Sequence, residues 1–200
     1  PIASVNLITE TLQKRELDKE KRHVLLDNIL TESKRLEKLI NNLLLSAKLQ
    51  TAYQYNFEST ELNDFVDHQI KRFRSLNPNL AIRFDRLGKI FYPIDREAFD
   101  SVLVNILENA VKYSIKPEIT VTTYMQASDF CIAIRDNGIG IDKKQQRKIF
   151  EKFYRVMNGD IHQAKGFGLG LNFVKKIMDA HKGKITVDSS PGNGSIFTLK

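Results

Sequence analysis

Residues 105–114 read NILENAVKYS, with Asn105 and Asn109 one helical turn apart and Lys112 and Tyr113 directly behind. Around them Phe99, Val102, Leu103, Ile106, Leu107, Ala110 and Val111 recur at helical spacing, which predicts an amphipathic helix from about Asp95 to Tyr113. An amide left unpaired in an apolar core costs about 1–3 kcal/mol, so two on one helix need a reason. At about 100° per residue, Asn105, Asn109 and Lys112 share a stripe separate from the apolar one. The amides need not enter the core: they fit the rim of a pocket whose floor is this helix. An Asn carbonyl is a neutral oxygen donor suited to magnesium, which takes few protein ligands and fills its shell with water and phosphate oxygens. Solvated side chains on an exposed face are the plain alternative.

Two glycine clusters follow. DNGIGI (136–141) ends the alternating strand pattern FCIAIRD. Its Asp136 can accept a hydrogen bond from an exocyclic amine, and Gly138 and Gly140 remove side chains that would block a flat ring. A simple turn from strand to loop reads equally well. GFGLGL (166–171) opens a helix, where backbone N–H groups without side chains make an anion site. It is not the dinucleotide fingerprint, because the spacing differs and no strand precedes it. Nor is it a P-loop, since no Lys-Ser/Thr follows. The His-Arg-Asp loop of protein kinases is absent.

Farther out, the chain divides. In residues 1–50 a helical tail, PIASVNLITETLQ, is joined by the polar KRELDKEK to a long segment without Gly or Pro. There Ile29, Ser33, Leu36, Ile40, Leu43 and Ala47 follow the 4-3 spacing of a bundle seam, which predicts a second copy and a dimeric four-helix bundle. Residues 51–200 mix an amphipathic helix (LNDFVDHQIKRFRSL) and short strands (LAIRF, KIFYPI) with the central helix. A hairpin (EITVTTYMQ, DFCIAIRD), a helix (LNFVKKIMDAHKG) and two closing strands (KITVDS, SIFTLK) complete them. That order predicts an α+β chain: a helical hairpin followed by an α/β sandwich with a mixed sheet and helices on one face.

Composition narrows the function. The net charge is +7, but residues 136–200 hold twelve basic and six acidic side chains and so nearly all of the excess. The basic third is also the glycine-rich third and carries no interleaved aromatic array, which favours a small polyanion over nucleic acid. No apolar run approaches the length of a membrane span, and no signal peptide is present. The single cysteine, Cys131, excludes an internal disulfide framework and fits a reducing cytoplasm. The chain starts at Pro1 rather than Met and reads as a fragment, any membrane attachment lying upstream.

The order of the motifs is more specific than any one of them. NILENAVKYS, DNGIGI, IFEKFYR (149–155), GFGLGL and the ending AHKGKITVDSSPGNGSIFTL resemble, in sequence, the N box, first glycine box, phenylalanine box, second glycine box and closing segment of sensor histidine kinases. These belong to an ATPase superfamily shared with topoisomerases and chaperones. The resemblance covers essentially the whole chain and implies ATP and Mg2+ as cofactors. It implies Asn109 as the metal ligand, with Asn105 beside it; Asp136 on the adenine amino group, with Gly138, Gly140 and Ile141 around the ring; and Lys112 and Tyr113 on phosphate and base edge. Residues 142–165 would form a mobile ATP lid anchored by Phe150 and Phe153, with Arg155 a candidate for the terminal phosphate. Gly166, Gly168, Leu169, Gly170 and Leu171 would close over the phosphates. Asn105 stands where hydrolysing and serine-phosphorylating branches place a Glu base, which implies phosphoryl transfer to histidine over hydrolysis.

The family's phosphoacceptor precedes a Pro and a small-apolar run like Pro1-Ile2-Ala3-Ser4, so it is expected just upstream of Pro1; His23, His68, His162 and His181 do not replace it. The resemblance implies a cytoplasmic transmitter, homodimeric through residues 1–50, that passes phosphate to an aspartate of a response regulator. A non-catalytic nucleotide-binding scaffold and an ATP-hydrolysing clamp are the alternatives.

Overall fold

The computed structural model describes residues 2–51, 54–156 and 168–200. The chain divides into two compact units, Pro1–Tyr53 and Gln54–Lys200.

The first unit is a hairpin of α1 (Ile2–Lys14) and α2 (Lys19–Thr51). The second helix starts four residues before the His23 expected from the sequence, because Asp18 caps it: its carboxylate accepts the Lys21 N–H at 2.8 Å. Within the described side chains the hairpin buries none of the residues of α1. It leaves Val24, Leu26, Leu30 and Ile40 about half exposed, at 48–54%. Of the expected seam, Ile29 and Leu36 are half-buried and Ser33 is exposed, while the side chains of Leu43 and Ala47 lie outside the described residues.

The second unit runs β1 (Glu58–Glu61), α3 (Leu62–Leu76), β2 (Ala81–Asp85), β3 (Phe91–Ile94), α4 (Arg96–Lys112), β4 (Glu118–Gln126), β5 (Asp129–Asp136), α5 (Gly170–Ala180), β6 (Ile185–Ser189) and β7 (Ser195–Leu199), with a 3-10 turn over Lys148–Phe150. A mixed five-stranded sheet has the order β2-β4-β5-β7-β6, and β1 and β3 form a separate pair. Only β2 with β4 is parallel; the remaining neighbours in the sheet are antiparallel. All three helices pack on this sheet. Alternation sends Ile119, Val121 and Thr123 of β4 inward toward α4, and these side chains, Val102, Ile106 and Leu107 of α4 and Val174 and Ile177 of α5 are all at most 3% exposed.

One junction fixes how α4 and α5 sit. Asp95 caps α4, its Oδ1 accepting the Ala98 N–H at 2.9 Å. Its own N–H donates to Nε2 of His181 at 3.0 Å, and His181 closes the C-terminal end of α5. With Nε2 accepting, Nδ1 carries the proton and donates to the Ile177 carbonyl at 2.8 Å. The other Asp95 oxygen accepts the Asn56 N–H at 3.0 Å. Rings of Tyr55, Phe57 and Phe99 pack on the imidazole at centroid distances of 5.0–5.7 Å. The far ends of α4 and α5, and the segment leading into the unit, are thus tied at one buried point.

Candidate functional site

The opposite end of α4 meets the loop after β5. Tyr113, the C-cap of α4, accepts the Ile139 N–H on its carbonyl at 3.0 Å. Gly138 packs closely enough that a Cβ would stand 2.8 Å from both this carbonyl and Asp136 Oδ1. No side chain fits there. Gly140 has φ +71° and would place a Cβ 2.0 Å from the Ser190 carbonyl, so only glycine allows the loop to lie on the β6–β7 turn.

Asp136 is 8% exposed at the end of β5. Its Oδ1 accepts the N–H groups of Gly138 at 2.8 Å and Ser195 at 3.2 Å. Both bonds fall on one oxygen, and Oδ2 carries none among the described residues. Burial raises the carboxyl above its ordinary value, against the pull of the two N–H donors. A buried carboxylate with one oxygen anchored and the other open is suited to receive a donor from a ligand.

The amide stripe of α4 forms the second part. Asn105 donates from Nδ2 to the Ser101 carbonyl at 2.7 Å. Its Oδ1 faces Gly170, where a Cβ would stand 2.7 Å away, so the N-terminus of α5 abuts the stripe. Asn109, one turn on, is half-buried and its side chain makes no hydrogen bond among the described residues. Lys112 is exposed and folds back, with Nζ 3.1 Å from the Tyr113 hydroxyl and 4.7 Å from its ring centre. Leu169 is 8% exposed and Leu171 and Ile141 are half-buried. The structure therefore brings Asp136, Gly138 and Ile139 onto the Tyr113 carbonyl at the end of α4, and Gly170 onto Asn105. Asn109 links the two groups along α4.

The phenylalanine segment departs from expectation. Phe150 is half-buried, and its carbonyl accepts Nδ2 of Asn172 at 2.8 Å. Phe153 is 66% exposed, at φ +64°. It holds through its backbone instead, its N–H donating to the Gly168 carbonyl at 3.0 Å. The buried apolar side chain of this segment is Ile149. Gly168 takes φ +69°, with a Cβ position 2.6 Å from the Tyr154 carbonyl. Arg155 is exposed; Gly166 and the lid over 157–165 lie outside the described residues.

Sequence reasoning missed Gly194 and Ser195. A Cβ on Gly194 would stand 2.0 Å from the Asp136 carbonyl, and the Ser195 N–H holds the carboxylate. The composition SPGNGS signals a turn, but nothing local links it to an aspartate 59 residues earlier. Among the described residues no group of three or more His, Cys, Asp and Glu could cage a metal. An amide oxygen such as that of Asn109 fits a magnesium ion that arrives with phosphate ligands of its own. A groove of about 390 Å³ between α3 and α4, lined by Gln69, Phe73, Glu108 and Lys112, contains neither Asp136 nor the glycines.

Residues 94–200 match the family described as "Histidine kinase-, DNA gyrase B-, and HSP90-like ATPase", and residues 1–52 match the "His Kinase A (phospho-acceptor) domain". The sensor protein RprX of Bacteroides fragilis (strain YCH46) is 31% identical over 211 residues, covering all of this chain and 40% of that protein. Among solved structures, the Acinetobacter baumannii histidine kinase AdeS superposes with a TM-score of 0.78 at 23% identity, over 100% of this chain and 93% of that one. The histidine kinase ThkA in complex with the response regulator protein TrrA gives 0.78 at 21% identity, over 100% and 56%. These two share the fold.

Proposed function

The chain belongs to the histidine kinase-, DNA gyrase B- and HSP90-like ATPase family, among its sensor histidine kinases, and on that premise we propose that it is the ATP-binding transmitter portion of a two-component sensor kinase. It uses ATP to phosphorylate a histidine, from which the phosphoryl group passes to an aspartate of a response regulator. The observation that carries the reading is Asp136: one oxygen is held by two backbone N–H groups, and the other is free beside a loop of glycines docked on the helix that bears Asn109.

Each residue then has a physical task. Asp136 Oδ2 accepts the adenine amine, while Gly138, Gly140 and Ile141 leave room for the ring. The Asn109 amide oxygen and, from the same helix end, Lys112 meet the triphosphate and its ion, and Tyr113 meets the base edge. Magnesium, when bound, neutralises phosphate charge. Gly166, Gly168, Leu169, Gly170 and Leu171 close over the phosphates, Phe150 and Phe153 anchor the lid, and Arg155 is the candidate for the terminal phosphate. Asn105 holds no basic group; its two ends are turned to Ser101 and Gly170. An imidazole needs little help to lose a proton, whereas water does, which favours transfer to histidine over hydrolysis.

His181 is buried in the α4–α5 junction, and His23 and His68 are exposed on helices outside the site. His162 lies outside the described residues, and the acceptor is sought where the family resemblance puts it, just before Pro1. The hairpin of residues 1–50 is the dimerisation element, residues 51–200 the catalytic one, and the whole acts on the cytoplasmic side. The relative ThkA is known in complex with a response regulator, and a receiver domain is the partner proposed here. No helix among the described residues is long and apolar enough to cross a membrane.

Supplying labelled ATP and magnesium to a chain extended through the upstream histidine tests the reading. Acid-labile, base-stable label on the extended chain, and none on residues 1–200 alone, is the expected result. Multiple turnover of ATP without any phosphoprotein would replace it with an ATP-hydrolysing clamp.

A further inference from the structure

Gln146 has no role in the site as assigned so far, yet its side chain joins the two walls around Asp136. Following the glycine loop, the Lys144 and Gln145 N–H groups both turn back to Asp142, at 2.8 and 2.9 Å. That turn carries Gln146 over the loop it has just left. Its Nε2 donates to the Ile141 carbonyl at 3.1 Å and to the Ser189 carbonyl at 2.6 Å. Both partners are acceptors, so only the nitrogen can face them, and the amide has a single allowed orientation.

The same residues are joined a second time. The Ile141 N–H donates to Ser189 Oγ at 2.8 Å. That hydroxyl donates its one hydrogen to the Gly194 carbonyl at 2.7 Å, and Ser195 Oγ lies 3.0 Å away. With its hydrogen committed and one lone pair taken by Ile141, Ser189 Oγ accepts from Ser195 Oγ–H. Ser195 in turn supplies an N–H to Asp136 Oδ1. Hydrogen bonds run from Asp136 through Ser195 and Ser189 to Ile141, Gln146 bridges Ile141 and Ser189 a second time, and the backbone from Ile141 to Asp136 closes the circuit as the glycine loop.

We propose that Gln146 is a positioning residue for base recognition: by bridging Ile141 to the end of β6 it holds the loop Gly138–Ile141 against the turn that anchors Asp136, and makes the root of the lid part of the adenine wall. The proposal rests on the nucleotide reading above. It assigns the residue to the adenine end of the ligand, not the phosphate end.

The bridge needs two hydrogen-bond donors on one side-chain nitrogen. Glu presents only acceptors to two carbonyls, Leu removes the bridge without adding charge, and Lys retains donors. Binding of adenosine and of ATP with magnesium is measured by calorimetry for the wild type and Gln146→Glu, Gln146→Leu and Gln146→Lys, with thermal unfolding of each unliganded chain alongside. Gln146→Glu should weaken adenosine and ATP by the same factor, about tenfold, Gln146→Leu by about three- to tenfold, and Gln146→Lys by less than Leu. Adenosine affinity unchanged in both the Glu and Leu variants overturns the proposal. So does a loss confined to ATP, which would place the residue at the triphosphate. A fall in melting temperature with unaltered affinity makes Gln146 structural only and also overturns it. If Gln146→Glu does not fold, the Leu variant decides by the same criteria. A wild-type chain that binds neither ligand defeats the nucleotide reading itself, before any variant is compared.

Discussion

Asp136 sits under two opposed demands. Burial disfavours its charge and raises its carboxyl above the ordinary value of 3.8, while recognition of an amine needs the charged, accepting form. Without ligand, the folded chain therefore holds this proton more tightly than the unfolded chain. In the pH window between the unfolded and folded values the group's contribution to stability declines as pH rises, and the penalty is complete above the folded value. Nucleotide affinity should move the other way, falling as pH drops through the raised value, earlier than an ordinary aspartate would allow. Asp136→Asn separates the two effects. Its amide oxygen can keep both N–H groups now on Oδ1, but its NH2 would face the adenine amine, donor against donor. Affinity should drop by about 1–3 kcal/mol, through loss of a charge-assisted bond in a closed pocket. At neutral pH the melting temperature of the unliganded variant should rise. Calorimetry and a melting curve on one preparation check both. Unaltered binding would remove Asp136 from the site. Asn109→Ala should abolish the magnesium dependence of ATP binding and leave adenosine binding intact.

Among the elements, α4 and α5 carry the argument, tied at one end by Asn105 against Gly170 and at the other by Asp95 on His181. A methyl at position 170 would meet Asn105 Oδ1 at 2.7 Å, a contact that the tip of the Asn105 side chain must turn aside to relieve, so Gly170→Ala should cost less than about 1 kcal/mol. In an Asn105→Ala background the same change should cost little, a coupling that a double-mutant cycle by urea denaturation would measure. His181→Leu keeps the ring contacts in part but leaves the buried Asp95 N–H without an acceptor, for a loss of about 1–3 kcal/mol in the same assay. The amide stripe was legible because Asn105, Asn109 and Lys112 lie on one helix, where period alone sets the face. The His181 junction was not, since its partner lies 86 residues away. Nor was the backbone role of Phe153: an aromatic residue in a motif reads as packing, and nothing in the letters says that its φ is positive.

At the scale of the whole molecule, the two units differ in how much they complete by themselves. Residues 54–200 enclose a core of fully buried side chains from every layer, and their sheet order and mixed strand directions agree with the α+β reading because each strand and helix kept its own period. The hairpin does not close in this way: Val24, Leu26 and Leu30 stay about half exposed in a helix of 33 residues. A helix pair of this kind becomes stable by covering its apolar stripe, and the 4-3 spacing points to a second copy of itself as the cover. The helical hairpin and its apolar stripe could be read from the sequence, but which of those residues a single copy leaves open could not, since that depends on the packing of α1 on α2. Full burial of one Leu side chain contributes about 1.5–3 kcal/mol. Replacing Leu26 and Leu30 together by Lys should therefore convert a dimer into monomers at micromolar concentration, as read by analytical ultracentrifugation. The second unit is compact without the hairpin, so residues 54–200 alone should sediment as a monomer and bind ATP with the affinity of the full chain. Transfer to histidine should behave differently if the acceptor belongs to the helices, as proposed above: the double Lys variant of a chain extended through that histidine should bind ATP normally while its rate of self-labelling changes with protein concentration. A variant that stayed dimeric would move the interface off these residues.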